Sequence, residues 1–220
     1  MVSTAPLIAQ PISPPVGEKR IVLRQLNWQR YQTIRRQLSP DRNTRLTYAQ
    51  GSLEITMPLE DHEFSVRLIE RFVLILVFEL GMELKTMGST TLDREALDRS
   101  AEPDDAYYIQ NQPAVAGRNV DIHKDPPPDL VVEVDITHTD IDQLHLYAAM
   151  GVPEFWRYNG QTWQIYCLQG VEYKEVETSP TFADVPKEKF YEFLASARQS
   201  EMKAERSLRA WVQAKNQRRA

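Results

Sequence analysis

The sequence predicts a mixed α/β (α+β) domain, a β-sheet flanked by helices with a long helix at its C-terminal end, and three observations predict it. The run HEFSVRLIERFVLILVFEL, residues 62–80, has apolar residues nearly all round its second half, the pattern of a buried helix. Leu130, Val132, Val134 and Ile136 alternate with other residues at a period of two, the pattern of a strand. The order of predicted elements is helix, hairpin, helix, strands, helix, strands, helix, which departs from regular βαβ alternation and so argues for a mixed sheet.

Taken in order, the first twenty residues carry four prolines, no basic start and no continuous apolar run, so they read as a disordered lead-in ending near Gly17 rather than a signal peptide. Residues 21–216 form one domain, and 217–220 a basic tail. Leu23, Leu26, Trp28, Tyr31, Ile34 and Leu38 fall at helical spacing, and Pro40 closes that first helix. TRLTYAQGSLEITMPL alternates on both sides of Gln50-Gly51, a hairpin with a tight turn. The central helix follows and ends at Gly81. MELKTMGSTTL and DDAYYIQN are strand candidates, separated by a polar loop or short helix. KDPPPDL leads into the strand at 130–136. Thr137 to Met150 is expected to be helical, Asp140 and Asp142 opposing Leu144, Leu146 and Tyr147, with Gly151 as its stop. EFWRYNGQTWQIYCLQGVEYKEVE has turn signals at Asn159-Gly160 and Gln169-Gly170 and reads as an antiparallel meander. One long helix from Lys187 to Ala214 completes the domain.

With 220 residues, 42% of them hydrophobic, the chain can bury one sizeable core. A single cysteine, Cys167, excludes an internal disulfide, and the lack of any apolar run of 18 residues argues against a membrane span. A cytoplasmic protein is the expectation. The net charge of −5 conceals a polarity: residues 1–45 carry +6 and residues 198–220 carry +5, leaving −16 for the body between them. An acidic body repels nucleic acid unless metal ions neutralise it, while basic ends either contact phosphates or are ordinary solvated charge. There is no glycine-rich phosphate loop and no serine nucleophile elbow, and the four histidines have no zinc-ligand spacing with cysteine.

The face of the 130–136 strand opposite its valines carries Asp129, Val131, Glu133 and Asp135. That face is either turned to water or part of a site. Residues four apart on a strand are separated by about 13 Å, so one ion cannot bind both Asp129 and Glu133. A hard cation such as Mg²⁺ takes oxygen ligands at about 2.1 Å and is more easily held by carboxylates on two neighbouring strands. Asp104, in EPDDAYYI, supplies the second carboxylate, unless it is an ordinary turn residue.

The series LNWQRYQTI, LEITMPLEDHE, GSTT, Pro103-Asp104, PDLVVEV and YAAMGVPEFW resembles the Uma-type family of bacterial restriction endonucleases, a branch of the PD-(D/E)XK nuclease superfamily, over residues 22–215. The resemblance implies a restriction-endonuclease-like core and Mg²⁺- or Mn²⁺-dependent cleavage of DNA. It puts Asp104 and Glu133 at the metal carboxylates and Asp129 at an accessory or strand-entry position. Two departures matter. Asp135 stands where the signature has lysine, and Gln143 where the family's displaced lysine sits on the following helix. An ammonium there lowers the pKa of the attacking water, whereas an amide only orients it. Gln143 is retained as the third catalytic position, and Asp135 is read as an accessory metal-site residue or, preferentially, as a solvated strand residue. Glu63, beside His62 at the start of the central helix, is a further accessory or a helix-dipole residue. Tyr147 and Trp156 read as core or interface aromatics, and His145 lies on a different helix face from Gln143. Cutting two strands favours a homodimer, for which Phe193, Leu194, Met202, Leu208 and Trp211 offer an apolar surplus. The rival is a degenerate nuclease fold serving DNA binding or protein assembly.

Overall fold

The hydrogen-bond ladders sort the strands into two sheets in a computed structural model that describes residues 18–39 and 41–218. The elements are β1 (Glu18–Leu23), α1 (Trp28–Gln37), β2 (Arg45–Ala49), β3 (Ser52–Pro58), α2 (Glu60–Glu79), β4 (Lys85–Thr86), β5 (Leu92–Arg94), β6 (Arg99–Ala101), β7 (Asp105–Tyr108), α3 (Gln112–Val115), β8 (Leu130–Val134), α4 (Gln143–Ala149), β9 (Glu154–Tyr158), β10 (Trp163–Gln169), β11 (Glu172–Val176), α5 (Lys187–Ala197) and α6 (Glu201–Gln217). One sheet has the order β1-β3-β2-β6-β5 and the other β11-β10-β9-β8-β7-β4. Among the described residues only β8 and β9 pair in parallel, and α4 is the crossover that a parallel pair requires. The mixed α/β expectation holds.

The β2–β3 hairpin turns at Gln50 (φ 45°) and Gly51 (φ 91°), two successive left-handed residues whose twist matches that of the strands they join. Helix α2 starts with Glu60, Asp61 and Glu63 at its positive end and buries ten side chains. The meander β9-β10-β11 is antiparallel throughout.

Four expectations are corrected. Residues 18–20 belong to β1, which pairs with β3 from Glu18↔Pro58 to Leu23↔Leu53; residues 1–17 of the expected lead-in, with Gly17, lie outside the described residues, as does Pro40. Leu23 therefore ends a strand, and α1 begins only at Trp28, where the Asn27 side chain accepts the Arg30 N–H at 2.9 Å. Helix α4 is short because the backbone before it is captured elsewhere. The Glu18 carboxylate accepts from the N–H groups of Ile136 and Thr137, and Glu54 accepts from the Thr139 hydroxyl and the Asp140 N–H. Those donors tie 136–140 to the five-stranded sheet, and Asp142 then caps the helix through the His145 N–H at 3.0 Å. The C-terminal helix is two helices, since Ser200 caps a new start by accepting from Lys203 N–H. Gln217 still belongs to α6 and Arg218 caps it, while residues 219–220 lie outside the described residues.

Leu130, Val132 and Val134 pack with α2, α5 and α6 in the largest apolar cluster, where Phe72 meets Phe190 and Trp163 edge-on at ring distances of 5.3 and 6.3 Å. Phe193, Leu194 and Leu208 are part of that core and Trp211 packs against it, so of the expected apolar surplus only Met202 is exposed, at 50%. Among the described residues no helix is long and apolar enough to cross a membrane.

Candidate functional site

All five residues of β8 are buried, so the face that carries Glu133 is not turned to water. It faces a polar seam between the two sheets. β7 runs antiparallel to β8 with Asp105 opposite Val132, and one further step along that register sets Asp104 against Glu133. Both carboxylates are deeply buried, at 3% and 7% exposure. They line one cavity with Arg20, Arg45, His62 and Gln143, and its volume of about 20 Å³ is enough for roughly one water molecule.

Each wall residue has a traceable origin. Asp104 Oδ2 accepts the Val134 N–H at 2.8 Å, which locks the end of β7 to β8, and lies 3.0 Å from His62 Nε2 in the first turn of α2. Arg45 alternates inward with Thr47 on β2 while Leu46 and Tyr48 fill the other side. Its Nε donates to Asp104 Oδ1 at 3.0 Å, and a second nitrogen reaches Glu63 at 3.2 Å. Tyr147 of α4 donates its hydroxyl to Glu133. Gln143, one turn earlier on α4, lines the cavity with an Oε1 that is buried and has no hydrogen-bond donor.

The two carboxylates are driven apart in acidity. Burial pushes Asp104 upward, but the hydrogen bond and charge of His62, with the Arg45 guanidinium, outweigh it and hold its pKa below the ordinary range. Burial and the adjacent Asp104 charge push Glu133 well above its ordinary value, against the Tyr147 hydrogen bond. For His62 burial favours the neutral ring, yet the Asp104 hydrogen bond prevails and raises its pKa. These opposed shifts favour an ionised Asp104 beside a protonated Glu133.

Asp129, at the opposite end of β8, does not line this cavity. Its oxygens accept from Ile109 N–H, Asn111 N–H and the Asn111 amide at 2.7, 2.9 and 2.7 Å, the strand-entry role. The preferred solvated reading of Asp135 is corrected: its side chain is only 1% exposed, clasped by Arg20 at 2.6 Å and by Arg157. Glu63 is partly exposed, on the Arg45 pair. His145 is off the cavity wall, as its offset from Gln143 requires. Sequence reasoning missed Arg20, Arg45 and the Tyr147 hydroxyl. The inward alternation of Arg45 with Thr47 was a signal for Arg45 alone.

Among the described residues no group of three or more His, Cys, Asp and Glu side chains is arranged to hold a metal ion. The carboxylates of Asp104 and Glu133, with the unsatisfied amide oxygen of Gln143 beside them to hold a water, nevertheless fit a hard divalent cation, which prefers oxygen ligands and completes its shell with water. Arg45 and His62 already hold Asp104 in the ionised state such a ligand needs.

Residues 28–195 match the model of the Uma2 family, described as "Putative restriction endonuclease". Among curated proteins none matches the chain.

Proposed function

Because the chain belongs to the Uma2 family and has a restriction-endonuclease-like α/β fold, we propose that it is a metal-dependent endonuclease that hydrolyses DNA phosphodiester bonds in the cytoplasm. Families of this fold generally use divalent metals, and the ion proposed here is Mg²⁺ or Mn²⁺, held by Asp104 and Glu133. When bound, the ion would polarise the phosphate and acidify a water. Around it, His62 and Arg45 hold Asp104 ionised, Tyr147 fixes the Glu133 carboxyl, and Gln143 orients a water through its unpaired oxygen. The observation that carries this reading is the opposition of Asp104 and Glu133 in one buried cavity, with an unsatisfied acceptor beside them.

The test is incubation of supercoiled and single-stranded DNA with the protein and Mg²⁺ or Mn²⁺. Cleavage is expected, and Glu133→Ala is expected to lower it by about 10³-fold, the scale set by removing a principal stabiliser of developing charge. Parent and variant cutting equally would remove Glu133 from the chemistry. The second reading, a degenerate fold that binds DNA or assembles with protein, is favoured by the missing lysine and the small cavity. An inert parent that still binds DNA in a salt-sensitive manner would establish its DNA-binding form.

The reading includes a homodimer, since a two-fold pair of sites cuts both strands of a duplex. Its apolar support is now Phe78, 73% exposed on α2, with Met202 on α6, which packs along it. Light scattering is expected to give twice the 25.5 kDa chain mass, and a single-chain mass at micromolar concentration would remove the dimer.

A further inference from the structure

The two positions at which the superfamily signature and its displaced variant would put lysine hold Asp135 and Gln143, and neither supplies a cation. The cavity nevertheless has two guanidinium groups in its wall. Arg45 is committed to Asp104 and Glu63. Arg20 differs. It reaches in from β1, where one terminal nitrogen donates to Glu54 and, at 3.3 Å, to the Thr56 hydroxyl; the other donates to Asp135 at 2.6 Å. Its Nε–H is buried and has no acceptor. Asp135 is gripped from its other side by Arg157, so the carboxylate at the lysine position is spent on fixing a guanidinium rather than on solvent.

A spare Nε–H does not by itself set Arg20 apart, since those of Arg42 and Arg157 also lack acceptors; of the three, Arg20 is the one in the cavity wall beside Glu133. A guanidinium offers five N–H donors in a plane and suits the paired oxygens of a phosphate. With Glu54 and Asp135 fixing that plane and Nε unsatisfied, the missing partner is an oxygen acceptor, and the cavity shared with Glu133 has room for one oxygen atom, as a single phosphate oxygen would supply. We infer that Arg20, positioned by Asp135, replaces the absent lysine and donates to a phosphate oxygen of the substrate. The inference rests on the nuclease reading of this cavity. It converts the charge reversal at 135 from a loss into a relay: the carboxylate recruits a cation from a strand more than a hundred residues earlier in the chain.

The test compares the parent with Arg20→Gln, Arg20→Lys, Asp135→Asn and the double variant Arg20→Gln/Asp135→Lys. Thermal melts check folding, anisotropy follows binding of a labelled duplex in Ca²⁺ over a range of salt, and cleavage is followed in Mg²⁺. Arg20→Gln is expected to cut about 10²-fold more slowly, as for loss of one preorganised donor, and to reduce the salt slope of binding by about one unit. Asp135→Asn should fall between it and the parent. The double variant, with an ammonium at the signature position, should recover at least tenfold over Arg20→Gln, a rescue that a purely structural latch would not allow. If Arg20→Gln does not fold, Arg20→Lys carries the comparison, with cleavage expected about tenfold below the parent because a point charge replaces the fork. Unchanged cleavage and salt slope in the folded Arg20 variant overturn the inference while leaving the nuclease reading intact, and so does a double variant no better than the single. If the parent binds DNA without cutting it, the nuclease reading fails by itself; an unaltered slope in the Arg20 variant then overturns the phosphate contact, and a slope lowered by one supports it. A parent that neither binds nor cuts ends both.

Discussion

Strand β8 has two faces, and the molecule treats them by different rules. Leu130, Val132 and Val134 enter a dry layer against α2, where the requirement is volume and shape. Glu133, between two of them in sequence, enters the seam, where the requirement is a partner for every charge. Glu18 is met by two backbone N–H groups, Glu54 by Arg20 and Thr139, Glu102 by Arg42 and the Leu46 N–H, Asp104 by His62, Arg45 and the Val134 N–H, and Asp135 by Arg20 and Arg157. Buried ion pairs of this kind add little net stability over apolar residues of equal volume, but removing one partner is severe. The seam is thus an arrangement for holding geometry. The Gln143 oxygen, the Arg20 Nε–H, His62 Nδ1 and a Glu133 supported by one tyrosine gather at one cavity, while the buried Nε–H groups of Arg42 and Arg157 lack acceptors away from it.

If the division of labour is real, damage to the dry face should cost stability and leave the seam's chemistry intact. Phe72 is fully buried and touches the rings of Trp163, Phe190 and Phe193. Phe72→Ala is expected to lower unfolding free energy by about 3–5 kcal/mol, the transfer and cavity costs together. Urea denaturation measures it, and DNA cleavage per folded molecule should stay within about twofold of the parent because Phe72 does not line the cavity. A large loss of cleavage in the folded fraction would show that the two faces are mechanically coupled.

The dry face was legible in sequence because its signals are local. A period of two at 130–136 and a helical run at 62–80 whose second half is apolar nearly all round each need only neighbouring residues to be read, as does the Gln-Gly turn in the other sheet. The carboxylates Asp104 and Glu133 were legible through their motif order, and the structure sets both on one cavity with Gln143. What escaped was the seam's pairing. Nothing near Arg20 in sequence names Asp135 as its partner across 115 positions, nor does anything near 137–142 reveal that Glu18 and Glu54 take the N–H groups its helix would have used. Asp135 was misread by the rule that polar strand residues meet water, which fails wherever a second sheet covers the face with guanidinium groups.

The smallest expected effect concerns two adjacent carboxylates on opposite faces of the sheet, Asp104 in the seam and Asp105 on the side of α2. Asp104 turns to His62 and Arg45, while Asp105, equally buried, has only the Ala106 N–H at 2.9 Å and the Tyr107 hydroxyl. Burial pushes Asp105 up to about 6, against those two hydrogen bonds, whereas its neighbour is held low. A folded-state pKa raised above the unfolded value of 3.8 contributes stability that is complete below 3.8 and is lost as pH rises through about 6. A shift of roughly two units corresponds to about 3 kcal/mol over the whole titration, of which about 2 kcal/mol falls between pH 4 and pH 7, and the acceptor oxygen that asparagine lacks adds only a pH-independent offset. Asp105→Asn is therefore expected to gain about 2 kcal/mol on the parent between pH 4 and pH 7 in urea titrations, with most of the change between pH 4 and pH 6. Parallel stability profiles would mean that Asp105 ionises without cost, and the contrast between a carboxylate paired with cations and one held by neutral donors would then not govern acidity on the two faces of the sheet.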